Sequence, residues 1–327
     1  MQSLNSRGRR DWMKQAAACA AALCAPMARA ANPPAWPAKP VSLIVPFPAG
    51  GPIDALMRAL AHALSAPGNA SVVVLNQPGA SGTLGPTTMA RAAADGATLA
   101  VITPSVFRLP HVQKVGYDPL KDFSYIAGLT SFAYAVSVSA ESRWKSLAEV
   151  VAHAKANPGR LNVAVVGTGL GYIATHHWQK KAGISVNPVS FKGGADAMVA
   201  LLGGHVDLMF EAGWGAMAQA GKVRLLAAAD TQRLPGWPDL PTMAELGYDV
   251  SVQSVIGIAG PKNMDPALVT AIQDAVLRAS GDEKYQRALA TESMPSRPMN
   301  AREYTDYAVR QFAAERDNAR ELGLANQ

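Results

Sequence analysis

Gly167-Thr168-Gly169-Leu170-Gly171 stands between a β-branched run and a helical stretch, where a dinucleotide-binding turn would stand. Such a turn needs Gly-x-Gly-x-x-Gly and an acidic residue closing the next strand to hold a ribose. Here the third glycine comes one residue early, and the next strand closes on Pro188, Val189 and Ser190. Neither a Gly-Lys-Ser/Thr phosphate loop nor a Gly-x-Ser-x-Gly nucleophile elbow occurs. His176 and His177 are adjacent, so they point about 100° apart on a helix rather than along one face as paired metal ligands do. His62, His111 and His205 are isolated in the sequence. These patterns predict no metal, no cofactor and no catalytic residue.

The loops themselves remain as chemistry. Gly50-Gly51, Ser81-Gly82-Thr83, Thr168-Gly169 and Gly193-Gly194 all fall between the end of a strand pattern and the start of a helix pattern. Such loops present free backbone N–H groups at the positive end of a helix dipole, an arrangement suited to an anion. Glycine lets a ligand approach that backbone closely. One such loop would be an ordinary turn; four predict a concave polar site beyond the carboxyl ends of the strands. Asp54, three residues after Gly51, is placed either to compensate a helix dipole or to accept a ligand hydroxyl, amine or water. Glu211, just past an apolar run, is a similar candidate. Lys192 could neutralise an anion or simply be a solvated charge.

The elements that must position these loops recur in one order: a β-branched run, a Gly-, Ser- or Pro-rich turn, then helical spacing. Val41 to Val45 is bounded by Pro40 and Pro46, and Pro52 suits the first helical position before Leu56, Leu60 and Leu64. Strand patterns follow at 71–75, 97–103, 161–166, 187–190, 206–210 and 223–228, which predicts α/β layers with parallel strands. The C-terminal part reads as mainly helical. Asp265-Pro266 suits a helix start, and Asn300 with Glu303 suits a capping box. No linker divides the 327 residues, so two α/β domains with crossing strands are expected.

Net charge is +6, which invites a nucleic-acid partner, but Arg7, Arg9, Arg10, Lys14 and Arg29 crowd the first thirty residues against Asp11 alone. Beyond them the chain carries 25 cations against 23 carboxylates, so no nucleic acid is expected. Ala16 to Ala28 is a short Ala-rich stretch ending in the small-x-small pattern Ala28-Arg29-Ala30. It predicts an export signal cleaved near Ala30-Ala31, by the Sec or, from Arg9-Arg10, the twin-arginine route. Cys19 and Cys24 both fall inside it, leaving no disulfide or thiolate chemistry beyond.

Several longer motifs resemble one family. Trp36-Pro37-x-Lys39-Pro40 precedes Leu43-Ile44-Val45-Pro46-Phe47-Pro48-x-Gly50-Gly51-x-x-Asp54-x-x-x-Arg58. Asn76-x-Pro78-Gly79-Ala80-x-Gly82-x-x-Gly85, Asp95-Gly96-x-Thr98-Leu99 and Tyr117-Asp118-Pro119-x-Lys121-Asp122-Phe123 follow. Lys192-Gly193, Leu201-Leu202-Gly203-Gly204-x-Val206-Asp207 and Asp239-Leu240-Pro241-Thr242 complete the set. This pattern resembles the substrate-binding receptors of tripartite tricarboxylate transporters, the TctC-like or Bug family. The resemblance implies an α/β type II periplasmic-binding-protein fold, a Venus flytrap of two α/β lobes joined by two crossing strands. It implies residues 31–130 plus 251–327 as one lobe and 131–250 as the other, closing as a periplasmic monomer over a small carboxylate for a membrane permease.

Carried onto this chain, its ligand loops are Phe47 to Asp54, Ser81 to Thr83, Thr103 to Ser105, Thr168 to Tyr172, Lys192 to Gly194, and the region of Glu211. The family holds its ligand with few charged side chains. Here Val165 and Val166 stand where serines are frequent, Ile53 where threonine is, Phe191 for tyrosine and Glu211 for aspartate; Tyr172 also departs from the usual residue. Fewer hydroxyls and more apolar surface predict a monocarboxylate with an apolar or aromatic body. A signalling receptor, or an enzyme using Asp54 or Glu211 as general base, would use the same cleft.

Overall fold

The computed structural model describes residues 36–37, 39–65 and 70–325. The expected export signal, residues 1–30, lies outside them. Along β1 (Val41–Val45) the period-two alternation sorts side chains cleanly: Leu43 and Val45 enter one core and Ile44 the other. A strand apolar on both faces must be covered on both. Accordingly Leu56, Leu60 and Leu64 of α1 (Pro52–Leu64) cover one face, while Phe107 of α3 (Ser105–Val112) and Tyr304 of the C-terminal helix cover the other. Among the described residues no helix is long and apolar enough to cross a membrane.

The first sheet adds β2 (Val72–Asn76), β3 (Thr98–Ile102), β4 (Phe123–Ser131), β10 (Val255–Pro261) and β11 (Ser296–Met299), in the order β11-β4-β10-β3-β1-β2. The second contains β5 (Ala135–Ser139), β6 (Asn162–Val166), β7 (Asn187–Phe191), β8 (Leu208–Glu211) and β9 (Val223–Ala228), in the order β7-β6-β8-β5-β9. The first sheet therefore draws on two separated stretches of chain and the second on the stretch between them. The chain passes from one to the other at residues 132–134 and returns through 229–254.

Both sheets are mixed, which departs from the parallel expectation. β10 runs antiparallel to β3 and β4, and β5 runs antiparallel to β8 and β9. β4, β5, β10 and β11 were absent from the sequence pattern. Around β10 the reason is physical: Gly257 lies against the Ala127 carbonyl and the Tyr304 ring, and Gly260 against Met264, so close packing requires glycine where strand propensity disfavours it.

The remaining helices are α2 (Leu84–Met89), α4 (Leu147–Ala156), α5 (Leu170–Ala182), α6 (Gly194–Leu202), α7 (Gly215–Gln219), α8 (Pro266–Ala279), α9 (Glu283–Thr291) and α10 (Ala301–Glu321). The expected caps are present. Asp265 accepts from the N–H groups of Ala267 and Leu268, and Asn300 with Glu303 closes a reciprocal capping box. Where the two sheets meet, Trp214 Nε1 donates to the Ala133 carbonyl at 2.8 Å, Ser254 Oγ to the Phe132 carbonyl at 2.9 Å, and Arg297 pairs with Asp230 at 2.7 Å. Lys180 of α5 pairs with Glu321 of α10 at 2.8 Å, linking the two lobes away from the cavity.

Candidate functional site

Between the sheets lies a cavity of about 1060 Å³, walled by the loops that leave β1, β2 and β3 on one side and β6, β7 and β8 on the other. Its position beyond the carboxyl ends of the parallel strands is the one open α/β sheets use for ligands. Of the residues expected there, Phe47, Ser81, Gly82, Thr103, Ser105, Thr168, Gly169, Lys192, Gly194 and Glu211 line it. Gly50, Gly51, Asp54, Thr83, Tyr172 and Gly193 do not.

Asp54 shows why a residue can matter without touching the cavity. It is 3 % exposed, and its Oδ2 accepts from Gly50 N and Arg58 Nε, both at 2.9 Å. Its Oδ1 accepts from Asn76 Nδ2 at 2.8 Å, and that amide also donates to the Phe47 carbonyl. Burial alone would raise its pKa, but the hydrogen bonds from Arg58, Gly50 and Asn76 outweigh it and hold the carboxyl below its ordinary value. Asp54 thereby folds the Phe47–Gly51 loop back on itself and presents Phe47, Pro48 and Pro52 to the cavity. Tyr172 instead packs on the core of the second lobe, and Thr83 Oγ1 donates to the Ala80 carbonyl at 2.8 Å.

The second loop is strained. Ala80 and Ser81 hold φ of 47° and 53° between Gly79 and Gly82 at 134° and 86°. Non-glycine residues in the left-handed region cost energy and cluster at ligand clamps. Gly82 sits against the Phe47 ring and Thr103 Oγ1. Thr103, 2 % exposed, leaves that Oγ1 without a hydrogen-bond partner.

Apart from the short helices α2 and α7, which also lack side-chain caps, helix starts divide into two groups. α4, α8, α9 and α10 are each capped by a side chain, from Ser146, Asp265, Asp282 and Asn300. α1, α3, α5 and α6 begin at the cavity, and none has a side-chain cap; Gly51, Gly169 and Gly193 occupy three of the four cap positions. At α3 the chain answers its own first N–H groups, Val106 N donating to the Thr103 carbonyl and Phe107 N to the Pro104 carbonyl, and Pro52 of α1 has none to offer. The remaining first N–H groups of α1, α5 and α6 are left for something other than the chain.

Glu211 is held by the second lobe: its Oε1 accepts from Val166 N at 2.8 Å, and Gly171 of α5 packs directly on its carboxyl group. Burial pushes its pKa up to about 7 against the lowering effect of hydrogen bonds from Val166 and Ala212. Sequence reasoning missed the other charged wall residues, Arg108, Glu292 and Glu315. Arg108 Nη1 reaches across the cavity to the Thr168 carbonyl at 3.1 Å. Glu315, fully buried on α10, is also pushed up to about 7, by burial above all. A signal for it existed: Tyr304, Tyr307, Ala308, Gln311, Glu315 and Ala319 form one buried helical face, and Glu315 is its only carboxylate.

These two shifts set a pH dependence. Between the ordinary glutamate value and about pH 7, folded Glu211 and Glu315 retain protons that the unfolded chain has released. Stability is therefore lost as pH rises through that window, by on the order of 3 kcal/mol per group. The melting temperature should fall from about pH 5.5 to about pH 8. Glu211→Gln should flatten part of that slope; an unchanged slope would show that Glu211 does not titrate there.

Two mixed α/β sheets with a cleft between them, uncapped helix starts converging on that cleft, define a two-lobed binding receptor of the periplasmic-binding-protein kind. The chain belongs to the tripartite tricarboxylate transporter receptor family (TctC), whose model matches residues 56–324. Members of that family are transporter receptors and not enzymes. The UPF0065 protein in the gbd 5' region of Cupriavidus necator is 35 % identical, over 95 % of each chain. A TctC solute-binding protein from Polaromonas, solved without ligand, superposes with a TM-score of 0.76 at 28 % identity, over 88 % of this chain and all of that one. R. palustris Rpa4515, solved with adipate, superposes at 0.77 with 26 % identity, over 89 % of this chain and 99 % of its own.

Proposed function

We propose that this protein is the extracytoplasmic solute-binding receptor of a tripartite tricarboxylate transporter. It closes 31–130 plus 251–327 against 131–250 over a small organic carboxylate and delivers it to membrane permease subunits. The observation that carries the reading is the division of the longer helices: the four that start at the cavity lack side-chain caps, while the four that start elsewhere have them. A carboxylate would accept from the N–H groups at the starts of α1, α5 and α6, with Thr103 Oγ1, Ser81 and Thr168 as neighbouring hydroxyls. Export by the N-terminal segment brings the receptor to the periplasm, where it acts as a monomer.

Phe47, Phe132, Tyr134, Phe191 and Trp214 contribute aromatic surface to the same cavity, which favours an acid with an apolar body. The relative bound to adipate supports a carboxylate ligand. Extraction of the purified protein with mass spectrometry, followed by a melting screen of organic acids, tests the reading. A ligand at about 100 times its dissociation constant adds roughly 2.7 kcal/mol of apparent stability. A broad panel of carboxylates that leaves the melting temperature unmoved would sink it, and so would turnover of a bound acid.

A further inference from the structure

Glu315 is an unusual residue for the wall of an anion site. It lines the cavity and is fully buried; its Oε1 accepts from Gln311 Nε2 at 2.9 Å, while its Oε2 accepts nothing. Native proteins rarely leave a buried acceptor unanswered, so its donor is to be sought in what fills the cavity. The side chains that act on it are Arg108 from α3, Gln311 and Tyr307 on its own helix, and Tyr134 from the crossing segment. Gln311 is spent on the other oxygen, and neither the Tyr307 nor the Tyr134 hydroxyl bonds to Oε2. Arg108 turns to Thr168, and among the described residues no ion pair joins it to Glu315. The cavity thus presents a cation and a buried carboxyl side by side but unpaired. Glu211 and Glu292 line it as well, so its walls carry three carboxyl groups against Arg108 and Lys192. Once those carboxyl groups are ionised, that balance opposes a ligand with two anionic ends.

We propose that Glu315 is a specificity-determining residue of the cleft: its free carboxylate oxygen receives an N–H donor of the ligand, so the cognate acid carries an ammonium or other N–H group besides its carboxylate. The assignment rests on the receptor reading above. The carboxylate end lies at the uncapped helix starts, and the nitrogen at the C-terminal helix. A charge-assisted N–H···O bond answers the orphaned oxygen, whereas a second carboxylate there would face like charge.

Matched acids isolate the effect. The purified protein is titrated calorimetrically with adipate and 6-aminohexanoate, and with terephthalate and 4-(aminomethyl)benzoate. In any pair that binds, the amino member should bind at least about 10-fold tighter, and Glu315→Gln should cut that preference to about 3-fold or less. Wild-type affinity for the amino member should rise from about pH 6 to about pH 8 as the carboxyl group ionises, and Glu315→Gln should remove that portion of the rise. A diacid that binds as tightly as its amino partner, or a preference retained in Glu315→Gln, overturns the assignment. Should that variant not fold, the wild-type ratio and the sign of its pH dependence decide alone. Carboxylates that bind without preference overturn only this assignment; a cleft that binds none overturns the receptor reading with it.

Discussion

Gly171→Ala is expected to lower the melting temperature by roughly 5–10 °C and to abolish stabilisation by ligand. Gly171 opens the first turn of α5, and a Cβ there would collide with the Phe210 carbonyl and the Glu211 carboxyl group. Phe210 belongs to β8, which is locked between β6 and β5, so the strand cannot retreat. The helix must move instead, taking Thr168 and Gly169 with it. Overpacking of this kind costs about 1–3 kcal/mol, and contact with backbone rather than a flexible side chain puts it at the upper end. Gly236 has no neighbour within 4 Å of such a Cβ, so Gly236→Ala serves as the control. Wild-type melting and binding in Gly171→Ala would refute this account of how the second lobe holds its loop.

Asp54→Ala should weaken carboxylate binding by more than about 10-fold and destabilise the fold by about 2–3 kcal/mol, although Asp54 does not line the cavity. The substitution removes the acceptor for Gly50 N, Arg58 Nε and Asn76 Nδ2 together. Half-exposed Arg58 can turn to water, whereas the loop N–H and the Asn76 amide lose the group that fixes Phe47 in the wall. Because the Asp54 carboxyl group titrates below its ordinary value, its stabilisation is present above that value and is lost only as pH falls through the lowered one. Chemical denaturation at neutral pH, with calorimetry on the best ligand from the screen, reads both effects. Loss of stability with unaltered affinity would show that the loop is not pre-organised by Asp54.

Much of this was legible in the chain. Pro40, Pro46 and Pro52 frame β1, its loop and α1, because proline fixes backbone geometry wherever it stands. Asp265 and Asn300 announce their helices because caps are local chemistry. β10 was not legible: its two glycines and its proline interrupt a strand pattern, and only the nearness of Tyr304, Met264 and Ala127 explains them. The glycine loops were found, but their division into cavity wall and bracing was not. Asp54 and Thr103 look alike in sequence until hydrogen bonds show one saturated and the other orphaned. Arg108 and Glu315 escaped for a related reason. They stand 207 positions apart, and only the packing of α10 on α3 brings both to one cavity.

The pair between Lys180 and Glu321 makes the molecule convertible into an optical sensor. Its partners belong to different lobes, their side chains are 71 % and 36 % exposed, and neither lines the cavity. Both native cysteines, Cys19 and Cys24, fall within the first thirty residues. Lys180→Cys and Glu321→Cys therefore offer two attachment points for thiol-reactive dyes once that segment is removed. Light emitted by a self-quenching dye pair there would follow the separation of α5 and α10 in real time.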